Sequence, residues 1–129
     1  MNINFNRLND DLKELAKFGF DEKSKGINRT AFSQSYKNAI DWLISKMNDC
    51  GLITRIDAVG NVIGRIGPED VPAVICGSHI DTVPNGGKLD GALGVLAGLE
   101  VARCIKQTSI NYKYALEIVA FVDEEGAYI

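Results

Sequence analysis

The chain has 129 residues, of which 46% are hydrophobic and 24% are charged, and its formal net charge is −3. This length and balance match one ordinary domain with a buried core and exclude a disordered chain. The weak, mixed charge excludes an electrostatic surface for nucleic acid, and no apolar run reaches the roughly 18 residues of a membrane span.

Two helices are predicted for the first part of the chain. Apolar residues at steps of three and four predict an amphipathic first helix, marked by Phe5, Leu8, Leu12, Leu15 and Ala16. A second helix is predicted over 31–50, with Thr30 or Ser33 as its N-cap and Gly51 at its end. The apolar face of this second helix is Tyr36, Ala39, Ile40, Leu43, Ile44 and Met47.

The rest of the chain is predicted to alternate between strands and one helix. Residues 52–57 and 61–66 are typical of a short hairpin, and 71–76 of a buried strand. A helix over 91–107 is apolar on nearly every side, so we expect it to be buried on more than one side. The strand predicted over 114–122 is almost continuously apolar, as parallel strands covered on both faces are. Strand, helix and strand in this order predict a right-handed βαβ unit in an α/β fold.

The N-terminus and the cysteines indicate the compartment. The segment from Met1 to Arg7 lacks the basic and apolar regions of a signal peptide. Cys50, Cys76 and Cys104 are odd in number, far apart and without a C-x-x-C pair. We therefore expect three reduced thiols in a cytoplasmic protein that has no nucleic-acid or membrane partner.

The single histidine and several acidic residues stand at the ends of the two strands of the βαβ unit. His79 and Asp81 follow the first strand, and Glu124 and Glu125 follow the second. The carboxyl ends of parallel strands are where open α/β sheets bind ligands. The loop after the first strand brings Asp90 to the start of the helix. The sequence therefore predicts a ligand site at this edge of the sheet.

Each of these side chains has a role in metal-dependent hydrolysis. His79 offers a neutral imidazole nitrogen, and Asp81 can accept the other ring N–H and so fix the tautomer. Asp90 has two oxygens and can bridge two ions. Glu124 and Glu125 diverge because they are adjacent at a strand end. One of the two can bind metal while the other takes a proton from the attacking water as general base.

Each residue also has a plain structural interpretation. A lone histidine such as His79 is most often a satisfied polar group. Asp90 directly precedes a helix, where it can be an N-cap, and 85–87 can be only a turn. Glu124 and Glu125 can be a solvated strand end. Their joint placement on two strand ends of one unit favours metal binding over these separate interpretations.

A phosphate-binding interpretation is weaker. Gly91, Gly94 and Gly98 open a helix after a strand, as in some nucleotide sites. The spacing matches neither the Rossmann fingerprint nor the P-loop, and no Gly-Lys-Ser/Thr follows. Asp90 would also place negative charge where a phosphate should dock. Nucleotide binding is therefore disfavoured.

At these residues the chain resembles the M20-type metallopeptidase superfamily, in its amidase/hydantoinase/carbamoylase branch. That branch holds N-carbamoyl-L-amino-acid hydrolases, β-ureidopropionases and allantoate amidohydrolases. The segments that carry the resemblance are 77–83, 85–87, 90–91 and 123–126, with 26–29 and 57–65 upstream. The triplet Asn85-Gly86-Gly87 favours the amidase branch over the dipeptidase and aminopeptidase branches. The resemblance implies a zinc-peptidase-like catalytic domain with a mixed, mainly parallel sheet flanked by helices.

The resemblance also implies a role for each candidate residue. His79 would bind one metal ion, Asp90 would bridge two, and Glu125 would bind the second. Asp81 would orient His79, and Glu124 would be the general base. The ions would be two divalent metals, zinc or manganese. The reaction would be hydrolysis of a non-peptide C–N bond in a carbamoyl or ureido substrate, namely an N-carbamoyl amino acid, ureidopropionate or allantoate.

Two departures from the family limit what this chain is expected to do. After Glu125-Gly126 the family has a small residue, Arg and Phe, where this chain has Ala127-Tyr128-Ile129. Family members are also much longer. Residues 1–129 are therefore expected to be an incomplete, N-terminal part of the catalytic domain, without the dimerisation domain and the C-terminal part of the catalytic domain.

The count of ligands leads to a further expectation. With Asp90 bridging, each ion would have only two protein ligands, whereas catalytic zinc sites normally have three and a water. We expect weak or absent metal binding and no appreciable hydrolysis by the isolated chain. Exposed sheet edges and apolar surface favour a homo-oligomer.

Two alternatives to a carbamoyl or ureido amidohydrolase remain. The chain could be a fragment of an M20-type dipeptidase or aminopeptidase, or a non-catalytic interaction module on this fold.

Overall fold

A computed structural model describes residues 2–108 and 113–127 of the chain. Within these ranges, three helices and four strands follow one another. They are α1 (Phe5–Lys17), α2 (Gln34–Asp49), β1 (Ile53–Ile56), β2 (Val62–Ile66), β3 (Ala73–His79), α3 (Ala92–Lys106) and β4 (Ala115–Phe121). The α/β fold, the hairpin and the strand–helix–strand unit predicted from the sequence are confirmed.

The four strands form one mixed sheet in the order β1-β2-β4-β3. β1 pairs with β2 and β2 pairs with β4 in antiparallel fashion, whereas β3 and β4 are parallel. Helices α2 and α3 pack on one face of this sheet. The core between them includes Leu43 and Met47 from α2, Leu96 and Leu99 from α3, and Ile118 from β4. A mixed sheet flanked by helices is confirmed, with the parallel pairing confined to β3 and β4.

Helix α2 matches its prediction closely. The Ser33 side chain accepts a hydrogen bond from the Tyr36 N–H, so Ser33 rather than Thr30 is the N-cap. The helix begins at Gln34 instead of residue 31, because Phe32 has a φ of 63° that no helical residue adopts. Gly51 follows the helix with a φ of 82°, as a C-terminal glycine does. Five of the six predicted apolar positions are buried, and Ile44 is partly buried against the core.

Helix α1 departs from its predicted apolar face at one position. Phe5 is 71% exposed and therefore does not belong to the buried face. It is the first residue of the helix, and the positions of α1 that are buried are Asp11 and Leu15. Periodicity alone extended the apolar face one turn too far toward the N-terminus.

An ion-pair network joins α1 to α3. Glu100 of α3 is only 1% exposed, and the Arg7 guanidinium donates to both of its carboxylate oxygens at 2.7 Å. The Asn4 N–H donates to the same carboxylate at 2.9 Å. Asp11 of α1 is also buried and pairs with Arg103 of α3 and with Lys46 of α2. Helix α3 is therefore buried on more than one side as predicted, but one of its buried faces is ionic.

The prediction of a buried strand at 71–76 is wrong. β3 lies at the edge of the sheet, and its central residues, including Val74 and Ile75, are exposed. Its neighbour β4 is an interior strand, which lies between β2 and β3 and is buried along most of its length, as predicted. An apolar run does not state which strand will have two neighbours, so edge and interior strands look alike in sequence.

No helix in the ranges 2–108 and 113–127 is long and apolar enough to cross a membrane. The most apolar one, α3, has 15 residues and carries the buried Glu100. α3 packs against β3, β4 and α1.

The Glu100 ion pair predicts how stability depends on pH. Burial by itself raises the pKa of Glu100, but the hydrogen bonds from Arg7 and Asn4 outweigh burial and lower the pKa to about 2. Because this lies below the ordinary value of 4.5, the stabilisation is present above about pH 4.5 and is lost as the pH falls toward 2. The full shift in the pKa of Glu100 corresponds to a change of up to about 3 kcal/mol in the free energy of unfolding.

Urea denaturation between pH 7 and pH 2.5 measures this dependence. The Glu100→Gln variant should be less stable at pH 7 and should lose less stability on acidification than the unmodified chain. Glu22→Gln, at an exposed loop position, serves as the control and should follow the unmodified chain. An acid transition in Glu100→Gln as steep as that of the unmodified chain would show that this pair is not responsible.

Candidate metal centre

The parallel pairing of β3 and β4 brings three potential ligands together. His79, the last residue of β3, pairs in register with Phe121, the last residue of β4. The chain then turns through 122–126, and Glu124 and Glu125 come back toward the imidazole. One ligand atom from each of His79, Glu124 and Glu125 lies within 4.8 Å of the other two. The sequence predicted this convergence, and the structure contains it.

The surroundings of His79 fix its tautomer. Nδ1 of the ring lies 3.0 Å from the backbone carbonyl oxygen of Asp81. A carbonyl oxygen can only accept, so Nδ1 is the donor in this hydrogen bond, and the neutral tautomer with this donor has its lone pair on Nε2. Nε2 lies 3.3 Å from Oε2 of Glu124, which is also an acceptor. Two acceptors facing each other at this distance are stabilised by a cation or a proton between them.

Asp81 contacts the site in a way that differs from the expected ring contact. Its carboxylate oxygen Oδ1 lies 3.7 Å from Nδ1 of His79, longer than a hydrogen bond, so the backbone carbonyl is the nearer acceptor. The other oxygen, Oδ2, accepts the N–H of Glu125 at 3.2 Å. The fully buried carboxylate therefore holds the backbone of one candidate ligand, while the peptide of Asp81 holds the ring of another.

Asp90 does not join the group of three. It is exposed, and its carboxylate is not among the converging ligand atoms of the described residues. The interpretation of Asp90 as an N-cap is wrong, because the N-cap of α3 is Gly91 and no side chain caps the helix. Gly91 has a φ of 64°, and a Cβ there would lie 2.5 Å from three atoms of the His79 ring. The backbone next to Asp90 thus approaches the imidazole too closely for a Cβ to fit, although the Asp90 carboxylate is not among the converging ligand atoms.

Arg29 is a buried residue at this site that sequence reasoning left without a role. Its Nε donates to the Ile80 carbonyl at 2.7 Å, and its Nη1 donates to the carbonyls of Leu15 and Phe18 at 2.9 and 2.8 Å. Burial lowers the pKa of Arg29 to about 10, and the charge of Asp81 acts in the opposite direction. Arg29 therefore ties the end of α1 to the segment between His79 and Asp81. The only signal in the sequence was its place in the segment 26–29.

The loop after β3 is held by backbone pairing to the same upstream segment. Ile27 and Gly86 exchange two N–H···O bonds of 3.0 and 2.8 Å, and the Asn85 N–H donates to Oδ1 of Asn28 at 2.7 Å. The buried Thr82 hydroxyl donates to the Ile27 carbonyl and accepts the N–H of Arg29. The triplet 85–87, which favoured the amidase branch, is thus hydrogen-bonded to residues 27 and 28, and this pairing shapes the loop.

The hairpin turn between β1 and β2 contacts the residue that follows β4. Oδ1 of Asn61 accepts the Val122 N–H at 2.9 Å, immediately before the residues that approach His79. Asn61 is fixed in turn by Asp57, whose carboxylate accepts its side-chain and backbone N–H groups. The hydrogen bond from the Asn61 side chain is the main cause that lowers the pKa of Asp57, with the backbone N–H groups of the turn acting in the same direction.

The donor set fits a divalent cation. It consists of one imidazole nitrogen with a fixed tautomer and two carboxylates, which are ligands of both zinc and manganese. The opposed acceptors of His79 and Glu124 are consistent with a cation between them. His79, Glu124 and Glu125 are the described residues that can hold such an ion together.

Replacement of Gly91 by alanine should disturb the site directly. The added Cβ would meet the His79 ring and would also sit on a backbone with positive φ. We expect a loss of at least about 1 kcal/mol in the free energy of unfolding, together with a shift of the His79 ring resonances in NMR spectra. Gly87→Ala is the control, since a Cβ there meets no atom within 4 Å. Equal stability and unchanged ring resonances in Gly91→Ala would contradict the close approach.

Comparison with known proteins gives consistent relatives. The family model described as peptidase family M28 matches residues 61–128. An N-carbamoyl-L-amino-acid amidohydrolase from Pseudomonas sp. (strain NS671) is 39% identical over 127 residues, which are 97% of this chain and 30% of that protein. An allantoate amidohydrolase from Bacillus subtilis (strain 168) is 39% identical over 95% of this chain and 30% of its own length.

A solved structure agrees with these relatives. A hydantoinase/carbamoylase family amidase from Burkholderia ambifaria aligns with a TM-score of 0.92 and 37% identity, over 97% of this chain and 31% of that one. The chain thus spans about 30% of the length of the relatives it matches. The motifs resemble M20-type enzymes, whereas the matching family is described as M28. The amidase branch indicated by the motifs is confirmed by the named relatives.

The family match covers more than half of the 129 residues, and it includes the two strand ends that carry His79, Glu124 and Glu125. The similarity to amidases extends over nearly the whole chain, in sequence and in structure. The chain therefore belongs to peptidase family M28, a family of metal-dependent hydrolases.

Proposed function

We propose that this chain forms the metal-binding part of an amidohydrolase that cleaves a non-peptide C–N bond in a carbamoyl or ureido substrate. The observation that supports it most is the convergence of the His79 imidazole and the carboxylates of Glu124 and Glu125 at two parallel strand ends. The substrate class rests on the names of the relatives, which include an N-carbamoyl-L-amino-acid amidohydrolase and an allantoate amidohydrolase.

In this proposal His79 would hold one divalent ion, zinc or manganese, Glu125 would hold the second, and Asp90 would serve both. Bound metal ions polarise the scissile carbonyl and lower the pKa of water. The backbone beside Asp90 closely approaches the His79 ring, which supports its assignment to the site. The Asp81 carbonyl keeps Nδ1 of His79 protonated, so that Nε2 is the ligand atom. Asp81 also fixes the position of Glu125 through its backbone N–H.

Glu124 is the proposed general base. Its side chain is half exposed and therefore open to solvent and substrate, in contrast to the buried Asp81. From this position the carboxylate can take a proton from the attacking water and deliver it to the leaving nitrogen. The adjacent Glu125 has its backbone held by Asp81, which suits a residue that must stay in place as a ligand.

Activity is expected of a protein that has the length of the relatives, because this chain covers about 30% of them. Of the three converging side chains, only His79 and Glu125 are proposed ligands. They are fewer than the two coordination shells of a dinuclear site require, so we expect metal binding by these 129 residues alone to be weak. The exposed edge of β3, with Val74 and Ile75, supports the prediction of a homo-oligomer. A cytoplasmic location also stays a prediction.

Two glutamine variants separate the proposed roles of the adjacent glutamates in the full-length protein. Glu124→Gln should lower turnover by about 10²- to 10⁴-fold and retain bound metal, because it removes only the base. Glu125→Gln should lose metal, because a neutral amide is a weaker ligand than a carboxylate. Turnover and metal content, measured by hydrolysis assays and elemental analysis, give the two readouts.

Glu22 lies far from the candidate site in sequence and on exposed surface. Glu22→Gln is therefore a suitable control that should keep both activity and metal. Near-normal turnover in Glu124→Gln would contradict the assignment of the base.

Substrate choice is tested with N-carbamoyl amino acids and allantoate against dipeptides. Preferred hydrolysis of dipeptides would replace the amidase proposal with a peptidase, and no hydrolysis of any of them would favour a non-catalytic module.

A further inference from the structure

Three buried side-chain oxygens have no hydrogen-bond partner among the described residues, and two of them belong to carboxylates beside the candidate metal centre. The three oxygens are Oη of Tyr36, Oδ1 of Asp81 and Oδ2 of Asp123. The three residues are 5%, 0% and 7% exposed, so bulk solvent does not satisfy these atoms. Buried polar groups without partners destabilise a fold, and native proteins nearly always supply a partner from protein or internal water. A partner that the protein itself does not supply is therefore expected for these atoms.

The two carboxylates meet at the turn that carries the candidate ligands. Oδ2 of Asp81 accepts the Glu125 N–H at 3.2 Å, and Oδ1 of Asp123 accepts the Ala127 N–H at 3.0 Å. Each carboxylate thus uses one oxygen to hold the backbone of the segment 123–127 and leaves the other oxygen without a partner. Glu124 lies between the two residues that are anchored in this way.

Tyr36 reaches the same region from the start of α2. Ser35, the residue before Tyr36, donates from its hydroxyl to the Asn28 carbonyl at 2.8 Å. Arg29, the residue after Asn28, pairs through its backbone with Thr82. Burial raises the pKa of Tyr36 to about 12, and the charges of Asp81 and Asp123 act in the same direction. The phenol is therefore within electrostatic reach of both carboxylates.

The donors and acceptors of this group are complementary to one water molecule. The phenol has one O–H to donate, and the two carboxylate oxygens can only accept when ionised. A water placed among them accepts from the hydroxyl and donates one hydrogen to each carboxylate. Buried waters typically make about three hydrogen bonds to groups that would otherwise be unsatisfied.

We propose that Tyr36, Asp81 and Asp123 enclose one internal water, and that this unit positions the turn that carries Glu124 and Glu125. Tyr36 is then a positioning residue, because it acts on the turn through the two carboxylates and touches no ligand. The unit forms in the metal-free chain, whereas its consequence for metal binding rests on the proposed function.

Backbone hydrogen exchange in the metal-free chain tests the unit with the Tyr36→Phe variant, which keeps the ring and removes the hydroxyl. We expect protection of the Glu125 and Ala127 amides to fall about five- to tenfold, the effect of one weakened hydrogen bond, while the amides of α3 keep their protection. Tyr114→Phe, at an exposed position, is the matched control and should change neither region. An unchanged turn, or an equal loss at all amides, would overturn the positioning role.

A second measurement needs no variant. In NMR spectra of the unmodified chain, the Tyr36 hydroxyl proton should exchange slowly and show a nuclear Overhauser effect to a long-lived water. A hydroxyl that exchanges as fast as that of Tyr114 would overturn the water site.

Zinc titration of the Tyr36→Phe variant then separates this inference from the proposed function. We expect the affinity for Zn²⁺ to fall about tenfold, as for other groups that orient metal ligands. Selective loss of amide protection with unchanged Zn²⁺ affinity would support the buried unit and count against the metal site.

Discussion

The parallel register of β3 and β4 sets the distance between the two segments that carry the candidate ligands. His79 and Phe121 end their strands opposite each other, so the residues that follow β4 need only one turn to reach the imidazole. A shift of this register by one residue would move His79 to the other face of the sheet. The candidate site therefore depends on strand pairing before it depends on any individual ligand.

Contacts from distant parts of the chain hold each side of this register in place. Arg29 binds the Ile80 carbonyl beyond β3, and Asn61 binds the Val122 N–H beyond β4. Asp81 then links the two sides, since its carboxylate accepts the Glu125 N–H. Gly91 allows the start of α3 to approach the His79 ring closely. Metal ligands work best when such surrounding groups fix their orientation before the ion binds.

The sequence predicted those features that arise from local pattern. The helical period located α2 and its buried face, and the strand–helix–strand order placed His79 near Glu124. Features that depend on distant partners were missed or wrong. The exposure of β3 follows from β4 taking the position between β2 and β3, which no property of residues 71–76 encodes. The burial of Glu100 requires Arg7, 93 positions away, and so could not be read from α3 alone.

The central claim is that the strand ends carrying His79 and Glu125 hold divalent cations, with Glu124 beside them as the base. Paramagnetic broadening of backbone NMR resonances by substoichiometric Mn²⁺ tests it most directly, because even weak binding broadens nearby signals. The account predicts broadening centred on His79, Glu124 and Glu125, and its loss in the His79→Ala variant. Broadening spread over exposed acids such as Glu22 and Asp70, unchanged in that variant, would contradict it.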